Sequence, residues 1–137
     1  MTLLETLNTG DRFAATSGIA ITEIRPGYCR AEMTVAESHL NAAGVCQGGA
    51  LFTLADMAVA GVVNASGQVC LGINAQINYV HSAQLGERLK AECELVSDGK
   101  IPLVSVRITN PAGATIAFMT SEGYKKREPL TFEDGLM

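Results

Sequence analysis

The run Asn41-Ala42-Ala43-Gly44-Val45-Cys46-Gln47-Gly48-Gly49-Ala50-Leu51-Phe52-Thr53-Leu54-Ala55-Asp56 carries a glycine-rich loop straight into an apolar helix that holds one carboxylate. From Gly48 to Ala65 the polar side chains are Thr53, Asp56 and Asn64 alone, and a helix apolar nearly all round is buried on most sides. An ionised Asp there is costly to desolvate, so Asp56 is read as a working group. The bland alternative is an Asp tied to Asn64 or Thr53 for structure. At about 100° per residue, Gly49, Thr53, Asp56, Ala60 and Asn64 share one sector, and Leu51, Leu54, Ala58, Val62 and Ala65 lie opposite. One side faces a core and the other a site.

The helix start adds a second resource. Free backbone N–H groups at Gly48 and Gly49, at the positive end of the helix dipole, can hold a developing oxyanion, and glycine admits a substrate closely. Gly48 and Asp56 are separated by roughly 12 Å of helix rise, too far for both to touch one reacting carbon. A symmetric dimer solves this by facing the helix start of one subunit with the Asp of the other.

The string Asn41-x-x-Gly44-x-x-Gln47-Gly48-Gly49-x-x-x-x-Leu54-x-Asp56, followed by Ile77-Asn78-Tyr79, resembles the signature of the PaaI-like branch of the hotdog-fold acyl-CoA thioesterases. The resemblance spans about residues 10–126. It implies an Asp on the central helix as general base or nucleophile, here Asp56, with the Gly48 amide polarising the thioester carbonyl across a dimer interface. It also implies roles for Gln47 and Asn41 at the reacting group. For the coenzyme A part it points to Gly49, Tyr79, His81, Ser82, Gly99, Lys100 and Lys126. Coenzyme A enters as part of the substrate and no separate cofactor is implied. The partners implied are an acyl-CoA and a second copy of the chain, as a homodimer or a dimer of dimers. The family usually places His before the Gly-Gly pair; Gln47 can donate a hydrogen bond but cannot exchange a proton near neutral pH. Two rivals follow: a copy that only binds acyl-CoA, and a hydratase or dehydratase on the same fold.

Around this centre, residues 2–16 read as two short helical pieces over an edge of the fold, the second starting at Gly10-Asp11. Ile19–Ile24 alternates up to the Pro26-Gly27 turn, and Tyr28–Val35 then places Cys29, Ala31, Met33 and Val35 on one face, giving a hairpin. After Ser66-Gly67 a long strand sets Leu71, Ile73, Ala75, Ile77 and Tyr79 against Gly72, Asn74, Gln76 and Asn78. Arg88–Val96, Leu103–Thr109 and Ala114–Tyr124 read as strands joined by turns at Ser97–Lys100 and Asn110–Gly113. Pattern alone therefore gives an α+β domain, a curved antiparallel sheet wrapped around one long central helix; the hotdog fold comes from the resemblance. One domain over residues 1–127 and a loosely ordered tail over 128–137 are expected.

With 137 residues, 47% of them hydrophobic and 18% charged, the chain is long enough for a single core. A net charge of −4 argues against nucleic acid. Asp56 and the glycines argue against a membrane span, and no signal peptide is expected at the first residues. Cys29, Cys46, Cys70 and Cys93 form no CxxC pair and read as reduced thiols of a cytoplasmic protein. Cys46 has no basic neighbour in sequence to make it a nucleophile. The two histidines, His39 and His81, have no metal-site spacing with it, so no metal is expected.

Overall fold

The computed structural model describes residues 1–137. Two short helices, α1 (Leu3–Gly10) and α2 (Arg12–Thr16), precede the hairpin β1 (Ala20–Arg25) and β2 (Tyr28–Thr34). A single 3₁₀ turn at Glu37–His39 leads to the long helix α3 (Gly48–Val63), followed by β3 (Gln68–Tyr79), β4 (Arg88–Ser97), β5 (Leu103–Thr109) and β6 (Thr115–Pro129). The strands form one antiparallel sheet in the order β1-β2-β4-β5-β6-β3, curled around α3, which is the expected hotdog architecture.

Alternation builds the inner face. Cys29, Ala31 and Met33 of β2, Leu89, Ala91 and Cys93 of β4, and Val104, Val106 and Ile108 of β5 are all buried. Leu51, Leu54, Ala58 and Val62 of α3 meet them, each large side chain contributing about 1.5–3 kcal/mol by leaving water. The helix can lie this close because Gly61 has no side chain: a Cβ there would collide with the Cys29 thiol. α3 packs mainly on β2 and β4 and barely reaches β3.

Two bulges alter the faces expected from simple alternation. Thr22 is an extra residue in β1, which lets Ile21 and Ile24 both point inward. Ile73 is an extra residue in β3, between the Gly72–Gly123 and Asn74–Glu122 pairs. It shifts the pleat, so Ala75, Ile77 and Tyr79 share the inner face with Ser121, Met119 and Ala117, while Leu71 pairs with Tyr124 on the other side. The expectation that Leu71 lies with Ile77 is therefore corrected, while Ile73, in the bulge, lines the same cleft as Ala75 and Ser121. Much of β3 is left uncovered, with Leu71, Ile73 and Tyr79 all more than half exposed, although Cys70 is buried and Ile77 packs on the core.

A second correction concerns the tail. β6 runs on to Pro129, and the residues after it are tied down rather than loose. Leu3 and Leu4 N–H donate to the carbonyls of Gly135 and Leu136, Glu133 N–H donates to Met1, and Leu130, Phe132 and Leu136 pack on the core. Half-buried apolar side chains and these backbone hydrogen bonds outweigh the Pro and Gly breakers that suggested looseness.

The two rims of the sheet are treated differently. On β1, the Asn8 carboxamide donates to the Ile21 carbonyl (2.9 Å) and accepts from its N–H (2.8 Å), standing in for a neighbouring strand. The Met137 thioether accepts from Ile24 N–H. On the opposite rim, β3 has β6 on one side and no strand on the other, so it is an uncapped edge twelve residues long.

Candidate active site

The mouth of α3 is built by its loop. Asn41 Oδ1 accepts from Ala43 N–H (3.0 Å) and Val45 N–H (3.2 Å), and Gly44 supplies the left-handed backbone the turn needs. Gln47 is the helix cap: its side-chain Oε1 accepts from Gly49 N–H at 2.8 Å. That leaves the Gly48 N–H without an acceptor in the chain, pointing out of the positive end of the helix. The Gly48 carbonyl accepts from the Tyr79 hydroxyl at 3.1 Å, and a Cβ at Gly48 would press on the Tyr79 ring at 3.0 Å. Gly49 is thus not a free donor, and its lack of a side chain leaves room for the Gln47 cap.

Two clefts flank this mouth and share Asn41. One, of about 390 Å3, brings together Asn41, Gly48, Tyr79, His81 and Ser82, with Val80 as an apolar wall. The other, of about 510 Å3, lies toward α2 and is lined by Gln47, Gly49 and Thr53 as well as Phe13, Ser17 and Ser38. His39 has both ring nitrogens engaged, Nδ1 accepting from Ala36 N–H and Nε2 on the Ser17 carbonyl, so it is a wall. Cys46 is buried with its thiol pKa pushed up by that burial, which removes it as a thiolate.

Asp56 sits two turns down α3, in a separate cleft of about 410 Å3 beside Phe52, Gly72, Ile73, Ala75 and Ser121. Its carboxylate makes no hydrogen bond. The tie to Thr53 or Asn64 is absent because both are engaged elsewhere: Thr53 Oγ1 donates to the Gly49 carbonyl, and Asn64 bonds Ala60 and Cys70. The carboxyl tip is open to solvent while apolar neighbours crowd its flank. That crowding, and to a lesser degree the charge of Asp11, raises the Asp56 pKa above the ordinary aspartate value. Within one chain, Gly48 and Asp56 open into different clefts.

Gly99, Lys100 and Lys126 lie at the far end of the sheet from Tyr79, since Tyr79 pairs with Ala117 while Lys125 N–H reaches the Lys100 carbonyl. There Lys100 stands over the Tyr124 ring at 5.1 Å and Lys126 pairs with Glu128 at 3.3 Å, both at the surface. A single chain does not bring them to the helix mouth. Sequence reading did not single out Phe52, Ile73 and Ser121 around Asp56, or Phe13, Ser17 and Ser38 near the mouth. Phe13, an aromatic in a short polar helix, was the one legible signal among them.

Residues 43–117, from the helix-mouth loop to the inner face of β6, match the model of the thioesterase superfamily. The chain belongs to the thioesterase superfamily. Both Gly48 and Asp56 fall inside the matched segment. A relative from Archaeoglobus fulgidus is 39% identical over 109 residues, 79% of this chain and 71% of its own. The acyl-coenzyme A thioesterase PaaI of Escherichia coli is 28% identical over 90% of this chain and 89% of that one. Its structure matches with a TM-score of 0.90 at 25% identity over 94% of each chain, in keeping with the PaaI-like resemblance. The smu.793 protein of Streptococcus mutans, solved bound to acetyl CoA, matches with a TM-score of 0.75 at 27% identity over 81% of this chain and 90% of that one.

Proposed function

We propose that the protein hydrolyses acyl-CoA thioesters at sites shared between two copies of the chain. The observation that carries this is the pairing of unmet groups: a helix-mouth N–H without an acceptor at Gly48 and a carboxylate without a donor at Asp56, in separate clefts beside the open β3 edge. Asp56 lies against the middle of β3 and Gly48 against its Tyr79 end. Pairing two β3 edges antiparallel about Ala75 and Gln76 sets Tyr79 of one copy beside Gly72 of the other, so each carboxylate approaches the opposing helix mouth. The same symmetry carries Gly99, Lys100 and Lys126 toward the opposing mouth, where the lysines can meet the CoA phosphates.

In this reading Asp56 takes a proton from water as the oxygen attacks the thioester carbonyl, and the oxyanion accepts from Gly48 N–H. Collapse expels the CoA thiolate and leaves the free acid. Direct attack by Asp56 gives a mixed anhydride that water then cleaves to the same products. Gln47, with Oε1 held by Gly49, has Nε2 left to donate to the carbonyl or to water, and Asn41 has its own amide N–H groups free for the same use. No cofactor is invoked. Four buried free thiols fit a cytoplasmic protein, no helix is long and apolar enough to cross a membrane, and a dimer of dimers is the assembly we favour.

The experiment is complementation. Asp56→Asn and Gly48→Pro each lose thiol release by several powers of ten; a first helical position accepts the proline backbone, which removes the N–H, while its Cβ pushes the Tyr79 ring aside. Mixed and reassembled, they regain roughly a quarter of wild-type turnover, because a mixed dimer holds one intact site. No regain means that the two groups do not share a site across copies. Gln47 in place of His motivates the second reading, an acyl-CoA-binding copy without catalysis; calorimetric binding of a non-hydrolysable CoA analogue with no thiol release from any ester would establish it.

A further inference from the structure

We infer that the cleft between α2 and the first turn of α3 receives the acyl arm of the thioester, and that Phe13 is its specificity-determining wall. The inference rests on the reaction proposed above, because it takes the thioester carbonyl to lie at the Gly48 N–H. From that point a thioester extends two arms of different chemistry, and two clefts leave the mouth in different directions, sharing Asn41.

The pantetheine arm is long, continues to a nucleotide and carries two amides. It needs an open-ended channel with backbone groups to pair with. The cleft along Tyr79–Ser82 has that character: it follows the last residues of the uncapped strand, where Val80 and His81 use their N–H groups on Ile116 and keep their carbonyls free. An amide N–H of the arm can donate to those carbonyls.

The acyl arm ends. It needs walls to lie against, and the α2 cleft has them: α2 on one side, the 3₁₀ turn at Glu37–His39 on another and α3 as floor, around a half-open space of about 510 Å3. That volume lies inside the range of about 300–1,000 Å3 usual for small-molecule sites. Leu40, Ala50 and Phe13 give it apolar surface. Phe13 is 69% exposed, held on a five-residue helix by the Asp11 cap, so its ring has little to do for the core and is placed to cover whatever lies in the cleft. Thr53 donates its hydroxyl proton to Gly49 and so offers the cleft only oxygen lone pairs, fixing the polar character of the floor.

The test compares Phe13→Ala with the unaltered protein across straight-chain acyl-CoA esters from acetyl to decanoyl, alongside competitive inhibition by free CoA. Because Phe13 is mostly exposed, the variant keeps its thermal midpoint, which is checked first. The expected result is a change of at least about fivefold in the ratio of kcat/KM between long and short esters, with inhibition by CoA within about twofold of wild type. Val80→Ala, on the other cleft, should give the converse: weaker CoA inhibition and an unaltered chain-length profile. An unchanged profile in Phe13→Ala, or CoA inhibition that moves with Phe13, overturns the assignment while leaving the hydrolase reading intact. Failure of the unaltered protein to release thiol from any ester removes both.

Discussion

Asp56 is an anion held where an anion is disfavoured. Its folded pKa is raised by crowding, so the folded state keeps this proton to higher pH than the unfolded chain does. The sign follows directly: below the ordinary carboxylate value the residue has no effect on stability, and its cost develops as pH rises through the raised folded value and is full above it. Asp56→Asn should therefore melt higher than wild type at pH 7 and together with it below about pH 3.5, read by thermal melts across pH. The same shift appears in catalysis. The acid limb of kcat/KM should fall off above the usual aspartate range, and the Asn variant should lose the limb along with the activity. Such a pairing, a more stable protein with no turnover, is what a working rather than a structural carboxylate produces.

At the scale of elements, α3 and β2 are fitted through one missing side chain. Gly61→Ala would gain about 1 kcal/mol of helix propensity, yet its Cβ would overlap the Cys29 thiol and stand 2.9 Å from the Cys29 Cβ. Overpacking of this kind costs roughly 1–3 kcal/mol, so the expected outcome is a lower denaturant midpoint, partly restored by adding Cys29→Ala. The helix itself and the inner faces of β2 and β4 were legible because their burial follows a regular period, as with Cys29, Ala31 and Met33. The bulges at Thr22 and Ile73 were not, because an extra residue is defined only by the strand it faces. The Gln47 cap was also hidden: Gln is not among the favoured capping residues, and it read only as a substrate contact. Of the site, Asp56 and Gly48 were legible as chemistry on the central helix, while Phe13, Ile73 and Ser121 reach it from distant parts of the chain.

For the whole molecule, the open rim of β3 is where a second copy is expected. Ile73 is 58% exposed at its middle and lines the Asp56 cleft, so a charge there spares the single chain and opposes pairing. Ile73→Asp should halve the mass found by light scattering, leave the circular dichroism spectrum unchanged and abolish thiol release; an undiminished mass would place the interface elsewhere. The Asn8 carboxamide on the opposite rim then acquires a meaning beyond local hydrogen bonding. A ribbon with two bare margins can add partners without end, and a sheet of this sort would polymerise into fibrils. With one margin already occupied by its own chain, recruitment along the strands is self-limiting and stops after a single addition.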